Sequence, residues 1–277
     1  MGTVATDRWI KGFIEEVSQT SFVHQKWNIH LRTIIQPVSR HFHKMPLYAL
    51  HRSLLEQGLF SPDQDVSSIY SRMKKLKMWA YVQKVYSELK NEWEGPAVKI
   101  IILPANEENE VIMDRLGGKM GIGFMDKVIL FVTTKTTHFD LRTLLTHEYN
   151  HSCRLMQLQK AENELTLLDS LIVEGMAEYA VKERCGERAL GKWHHRFSKE
   201  ELQSLWERFY KERRFVKGKH YHRPFLFGSE SIGIPLWSGY ALGFEIVRSM
   251  MEHQKYSIQN LLTLQSETIL NQSSFKD

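Results

Sequence analysis

Residues His147-Glu148-Tyr149-Asn150-His151 spell H-E-x-x-H within a chain of 277 residues. On a helix, histidines at i and i+4 leave one face a turn apart, so both can bind one tetrahedral metal ion. Glu148 then stands where a carboxylate can take a proton from a metal-bound water. A catalytic zinc needs three protein ligands and one open position, so a third ligand must come from another element. Glu174, 23 positions after His151, is the candidate. It interrupts an apolar stretch, with Leu171-Ile172-Val173 before it and Met176-Ala177 after. Burying a carboxylate there is costly unless it meets a cation. Glu178 follows Glu174 by four residues, hence on the same helix face. It is the candidate to accept the second N–H of His147 and so fix that ring's tautomer. Cys153, two residues after His151, points about 200° around the helix and cannot join the same site.

Two helices must position these groups. Leu141, Leu144, Leu145, Leu155 and Leu158 supply an apolar stripe for the first, with Asp140 as its predicted cap. The second is predicted from about Leu165 to Glu183, ending at Cys185-Gly186, with Gly175 and Ala177 leaving room for close packing. Upstream, Val98 to Leu103 is a short apolar run between prolines and predicts a buried strand. Gly117-Gly118 marks a turn. The runs Gly121 to Phe124 and Val128 to Thr133 predict a tight hairpin.

Residues 1–95 read as helical: Trp27 to Phe42 broken near Pro37, Met45 to Leu59, and one long amphipathic helix from Val66 to Trp93. After the active stretch, Ser198-Lys199-Glu200-Glu201 is a capping box opening a helix to about Arg214. Residues 211–223 are basic and irregular, and 225–235 read as loop. Leu236 to Met251 predicts an apolar helix, and Ile258 to Ile269 a weaker one. The fold class is therefore α+β. A helical region (1–95) precedes a domain (96–277) with a small mixed sheet, the H-E-x-x-H helix and a mostly helical remainder.

An H-E-x-x-H motif followed by a glutamate on a second helix resembles the gluzincin group of zinc metallopeptidases. Val173-Glu174-Gly175-Met176-Ala177 is similar to the Asn-Glu-Gly-Phe-Ala box of the aminopeptidases in that group. More closely, THEYNH, LLDSLIVEGMAEYAV and PLWSGYALGFEIV resemble a bacterial family of predicted Zn-dependent proteases, typified by YjaZ of bacilli, over roughly residues 96–250. The resemblance implies a zincin-like catalytic domain, bound Zn²⁺ and a peptide or protein substrate. It implies His147, His151 and Glu174 as metal ligands and Glu148 as general base. It also implies a substrate-pairing edge strand at Gly121, Ile122, Gly123 and Phe124. The oxyanion donor would be a Tyr or His of the C-terminal part: Tyr240, or one of His220, Tyr221 and His222. Two departures stand out. The reach to Glu174 is a few residues longer than in the well-known gluzincins, and Val173 replaces their Asn.

Composition narrows the class further. Hydrophobic residues make up 42%, enough for a sizeable core, and the net charge of +5 is mild. Two cysteines make no disulfide framework and point to the cytoplasm. No apolar run approaches the ~20 residues of a membrane span, and residues 1–13 carry no apolar leader stretch. A non-catalytic, metal-stabilised regulatory protein is the alternative, using basic residues 208–223 or Lys74 to Lys84 to meet nucleic acid or an acidic partner. No aromatic-interleaved RNA motif or helix-turn-helix pattern supports it, so no nucleic-acid partner is expected.

Overall fold

A computed structural model describes residues 2–42, 45–110, 113 and 120–276. The chain is α+β, mostly helical with one small mixed sheet. It divides into two compact units, Met1–Glu88 with Ala97–Leu145, and Leu89–Pro96 with Thr146–Asp277. The turn expected at Gly117-Gly118 lies outside the described residues.

In the first unit, α1 (Asp7–Val17) buries Ile10 and Phe13, three residues apart on one face. Next come α2 (Val23–His30), a π-helical stretch (Leu31–Ile35) and α3 (Gln36–Ser39). Pro37 does not break the helix as the sequence predicts. It sits at the start of α3, just after the wider π turn, where its missing N–H costs least. Helix α4 spans Leu47–Glu56. The long helix predicted from Val66 is two, α5 (Ser67–Lys75) and α6 (Met78–Trp93). Lys77 between them adopts a left-handed conformation, φ 48°, which no helix can pass through.

The sheet of this unit has the order β1-β3-β2. Strand β1 (Lys99–Pro104) runs parallel to β3 (Lys127–Val132), from Lys99 opposite Lys127 to Pro104 opposite Val132. Strand β2 (Met120–Gly123) pairs antiparallel with β3, closing the predicted hairpin through Phe124 N–H to the Lys127 carbonyl at 2.8 Å. Five residues of β1 and all of β3 are buried, as their continuous apolar runs require. Lys127 is buried too; its ammonium meets Asp126 and lies 4.8 Å from the Phe42 ring centroid.

Helix α7 (His138–Leu158) carries H-E-x-x-H. Its N-terminus is held by a reciprocal pair. The Asp140 N–H donates to the Thr137 hydroxyl, and the Thr137 N–H and hydroxyl donate to the Asp140 carboxylate. Thr137 is therefore the cap and Asp140 its partner, a shift from the predicted roles.

The second unit is built on α8 (Leu167–Cys185), opened by a capping box between Thr166 and Asp169 and followed by Gly186 at φ 82°. Nearly every side of α8 is buried, the mark of a central helix. Around it come α9 (Lys199–Leu205), α10 (Lys219–Phe227), α11 (Ser238–His253), α12 (Ile258–Thr263) and α13 (Ser266–Asn271). The capping box at Ser198 and Glu201 forms as the sequence predicts. Helix α10 reaches Phe227 and carries Pro224 inside it, so part of the predicted 225–235 loop is helical. Trp206–Tyr210 is π-helical and continues α9.

Arg154 of α7 is almost wholly buried and donates to the carbonyls of Leu262, at 2.8 Å, and Leu264, at the end of α12. It also reaches the Ser266 hydroxyl at 3.1 Å, which donates to Asp169 of α8 at 2.6 Å. This network ties the two helices that carry the candidate ligands to the C-terminal segment.

Candidate active site

Placing both His147 and His151 on α7, and both Glu174 and Glu178 on α8, lets each i,i+4 pair share a face. The potential ligand atoms of His147, His151 and Glu174 lie within 4.8 Å of one another. Glu174 Oε2 stands 3.4 Å from His147 Nε2 and 3.4 Å from His151 Nε2. That oxygen is buried and has no hydrogen-bond partner among the described residues. Ligand bonds of ~2.1 Å in a tetrahedron put neighbouring ligand atoms ~3.4 Å apart. The separations are thus long for hydrogen bonds and right for atoms sharing one zinc ion. The donor set, two imidazoles and a carboxylate, also suits zinc.

His147 Nδ1 lies 2.9 Å from Glu178 Oε1. This contact leaves Nε2 as the nitrogen facing Glu174. Burial pushes the His147 imidazole down, but the facing Glu174 and Glu178, and then Glu148, outweigh it and hold it well above its ordinary value. Burial pushes Glu174 up, and His151 and His147 outweigh that to hold it well below the usual carboxylate range. The two shifts are reciprocal, because each histidine–carboxylate contact favours the charged form of both partners. Glu148, between the histidines in sequence, is buried.

Tyr240, in the first turn of α11, faces the same group. Burial first, then the charges of Glu174, Glu148 and Glu178, hold its phenol well above the ordinary value. It therefore stays protonated and able to donate. Its ring lies between Phe227 and Trp237, each 5.4 Å away by centroid, with Trp193 at 6.1 Å.

Residues 78–271 match the protein family described as "Predicted Zn-dependent protease (DUF2268)". The chain belongs to that family. A relative within reach is the uncharacterized protein YjaZ of Bacillus subtilis (strain 168), 36% identical over 218 residues, 79% of this chain and 83% of YjaZ. The uncharacterized protein YjfC of the same organism is 28% identical over 138 residues, 47% of this chain and 46% of its own. No solved structure matches the chain. The family match takes in α6, the sheet, α7 and α8, and everything after them to residue 271.

The other residues singled out by sequence fall elsewhere. His222 is fully buried and has both ring nitrogens engaged, Nδ1 with the Ser170 hydroxyl at 2.7 Å and Nε2 with the Val216 carbonyl at 2.8 Å. His220 and Tyr221 are exposed on α10, their rings tilted at 43° with centroids 3.9 Å apart. Gly121, Ile122 and Gly123 form β2 in the first unit, an end strand of the sheet, and Phe124 follows it.

Sequence reading picked out Gly175 for close packing but missed Gly239 and Gly243 of α11, which set Tyr240 in place. A Cβ on Gly175 would stand 2.0 Å from the Gly243 carbonyl oxygen, and one on Gly243 would stand 2.1 Å from that of Leu171. A Cβ on Gly239 would meet the Phe225 carbonyl oxygen at 2.3 Å. Helix α11 can therefore close onto α8 and α10 only because both its positions flanking Tyr240, Gly239 and Gly243, are bare. The signal was present as two glycines four apart in an apolar helix.

Proposed function

We propose that this chain is a gluzincin-like zinc peptidase with a zincin-like fold, acting in the cytoplasm on a peptide or protein. The observation that carries the reading is the approach of Glu174 Oε2 to both histidine Nε2 atoms at 3.4 Å, that oxygen being buried and without a hydrogen-bond partner among the described residues. His147, His151 and Glu174 would hold the zinc. When bound, zinc supplies Lewis-acid polarisation of the scissile carbonyl and makes water a good nucleophile near neutral pH.

The remaining steps belong to the chain. Glu148 removes a proton from the attacking water and delivers it to the leaving amine as the C–N bond breaks, so it ends as it began. Tyr240 keeps its proton and donates its O–H to the carbonyl oxygen as negative charge builds there. Glu178 holds the His147 ring by its Nδ1–H. The edge strand β2, with Phe124 after it, is assigned to pairing with an extended peptide backbone. Two free thiols, Cys153 and Cys185, fit the reducing interior of a cell.

The test is the Glu148→Gln enzyme. It should bind zinc as the parent does and lose peptide hydrolysis by several orders of magnitude. Retention of full hydrolysis would overturn the assignment of the base.

A further inference from the structure

A cavity of about 260 Å³ opens in the second unit, lined in part by Trp193, His194, Ala241 and Phe244. It begins one ring away from Tyr240. Trp193 touches it from one side, with its centroid 6.1 Å from that of Tyr240 and 6.1 Å from that of Phe244. Phe244 follows Tyr240 by one helical turn on α11. On α8, Glu174, Glu178 and Lys182 recur every four residues and share a face, and Lys182 lines the cavity ~12 Å along the axis from Glu174. The volume falls just below the ~300 Å³ at which small-molecule pockets begin, a size for one large side chain.

The walls define the chemistry. His194 meets Phe244 edge to face, centroids 4.8 Å apart and planes at 90°, and Trp193 meets Phe244 at 67°. Rings at such angles offer edges and faces to a further ring. Lys182, Lys199 and Arg248 stand around the cavity with the carboxylates of Glu187 and Glu245, so its walls carry both signs and favour neither a basic nor an acidic side chain strongly. They do not form a strong acid site, because Arg248 is taken by Glu245 and Glu252 and Lys182 lies 3.7 Å from Glu187. What they suit is a neutral ring with a polar tip.

We propose that this cavity receives one side chain of the peptide substrate beside the scissile bond and selects an aromatic residue with a polar end, tyrosine above all. This rests on the reading of Glu148 and Tyr240 as the catalytic pair. His194 is held neutral near pH 7 by burial and by the neighbouring His195, so its ring can both donate to and accept from a phenol hydroxyl.

The experiment uses zinc-loaded enzyme and peptides alike except for one residue, Tyr, Leu, Ala, Glu or Lys, set on either side of the cleaved bond. The parent should favour Tyr over Ala and Lys by at least about ten-fold in kcat/KM. Ala241→Phe, which fills the cavity, should shrink the Tyr-to-Ala ratio about ten-fold, and Trp193→Leu should shrink it by removing a wall. A preference for Glu or Lys, no preference, or a Tyr preference untouched in both folded variants would overturn the proposal.

Binding is read separately, by anisotropy of a fluorescein-labelled Tyr peptide on the zinc-loaded Glu148→Gln enzyme, with and without Ala241→Phe. Binding weakened about ten-fold by Ala241→Phe, with no hydrolysis by the parent, keeps the pocket and sinks the peptidase reading. Hydrolysis by the parent, with binding indifferent to Ala241→Phe, does the reverse.

Discussion

Gly175 of α8 and Gly243 of α11 meet backbone to backbone, so closely that a Cβ on Gly175 would stand 2.0 Å from the Gly243 carbonyl oxygen. Gly175 adjoins Glu174 in sequence, and Gly243 lies three residues after Tyr240. The crossing therefore sets the distance between a candidate ligand and a candidate donor. Gly175→Ala must push α11 away or strain the backbone, costing about 1–3 kcal/mol. The expected result is a lower Tm together with a fall in kcat larger than the fall in zinc occupancy. Equal stability and equal kcat would show that the contact does not govern the site.

Glu178 accepts from His147 Nδ1 at 2.9 Å. Groups in this position typically account for about 10–100-fold in metal affinity. Glu178→Ala should weaken zinc binding by that order in a competition titration while the circular dichroism spectrum stays as in the parent. Unchanged zinc affinity would remove Glu178 from the centre.

Tyr240 stays a neutral donor because burial and three carboxylates oppose its ionisation. Tyr240→Phe keeps the ring and removes the hydroxyl. With substrate in hand, kcat should fall about 10²–10³-fold, with KM and zinc content near parental. An unchanged kcat would return the donor role to another group.

The first unit carries its own titration. His30 Nδ1 lies 3.0 Å from His51 Nε2, and burial, then His51, lowers His30 from 6.5 to about 3. Between those values the unfolded chain binds a proton that the folded one refuses. Stability therefore falls as pH drops from 6.5 towards 3, by up to ~1.4 kcal/mol per pH unit from this residue. Urea unfolding of parent and His30→Gln at pH 7 and pH 5 should give a smaller pH dependence in the variant. Equal dependence in both would contradict the account.

How much of this is legible in the sequence depends on distance along the chain. The i,i+4 spacings of His147 with His151 and of Glu174 with Glu178 are local, so their shared helix faces can be read directly. The capping box at Ser198 is local too, and so is the hairpin that turns between Phe124 and Lys127. The left-handed Lys77 carries no glycine or asparagine to announce it, so α5 and α6 read as one helix. Residues 225–235 read as loop, yet α10 continues through Pro224 to Phe227, because tertiary packing overrides propensity. The approach of Gly243 to Gly175 joins positions 68 residues apart, and nothing local encodes which two glycines will meet.

Every role proposed for the centre depends on His147, His151 and Glu174 holding one zinc ion. X-ray absorption at the zinc edge, with metal analysis of the same sample, tests it most directly. The expected result is about one zinc per chain, two imidazole nitrogens and one carboxylate oxygen at ~2.0–2.2 Å, and loss of the metal in His147→Ala. A chain that purifies and reconstitutes without zinc, or a zinc ion that His147→Ala leaves in place, would contradict it.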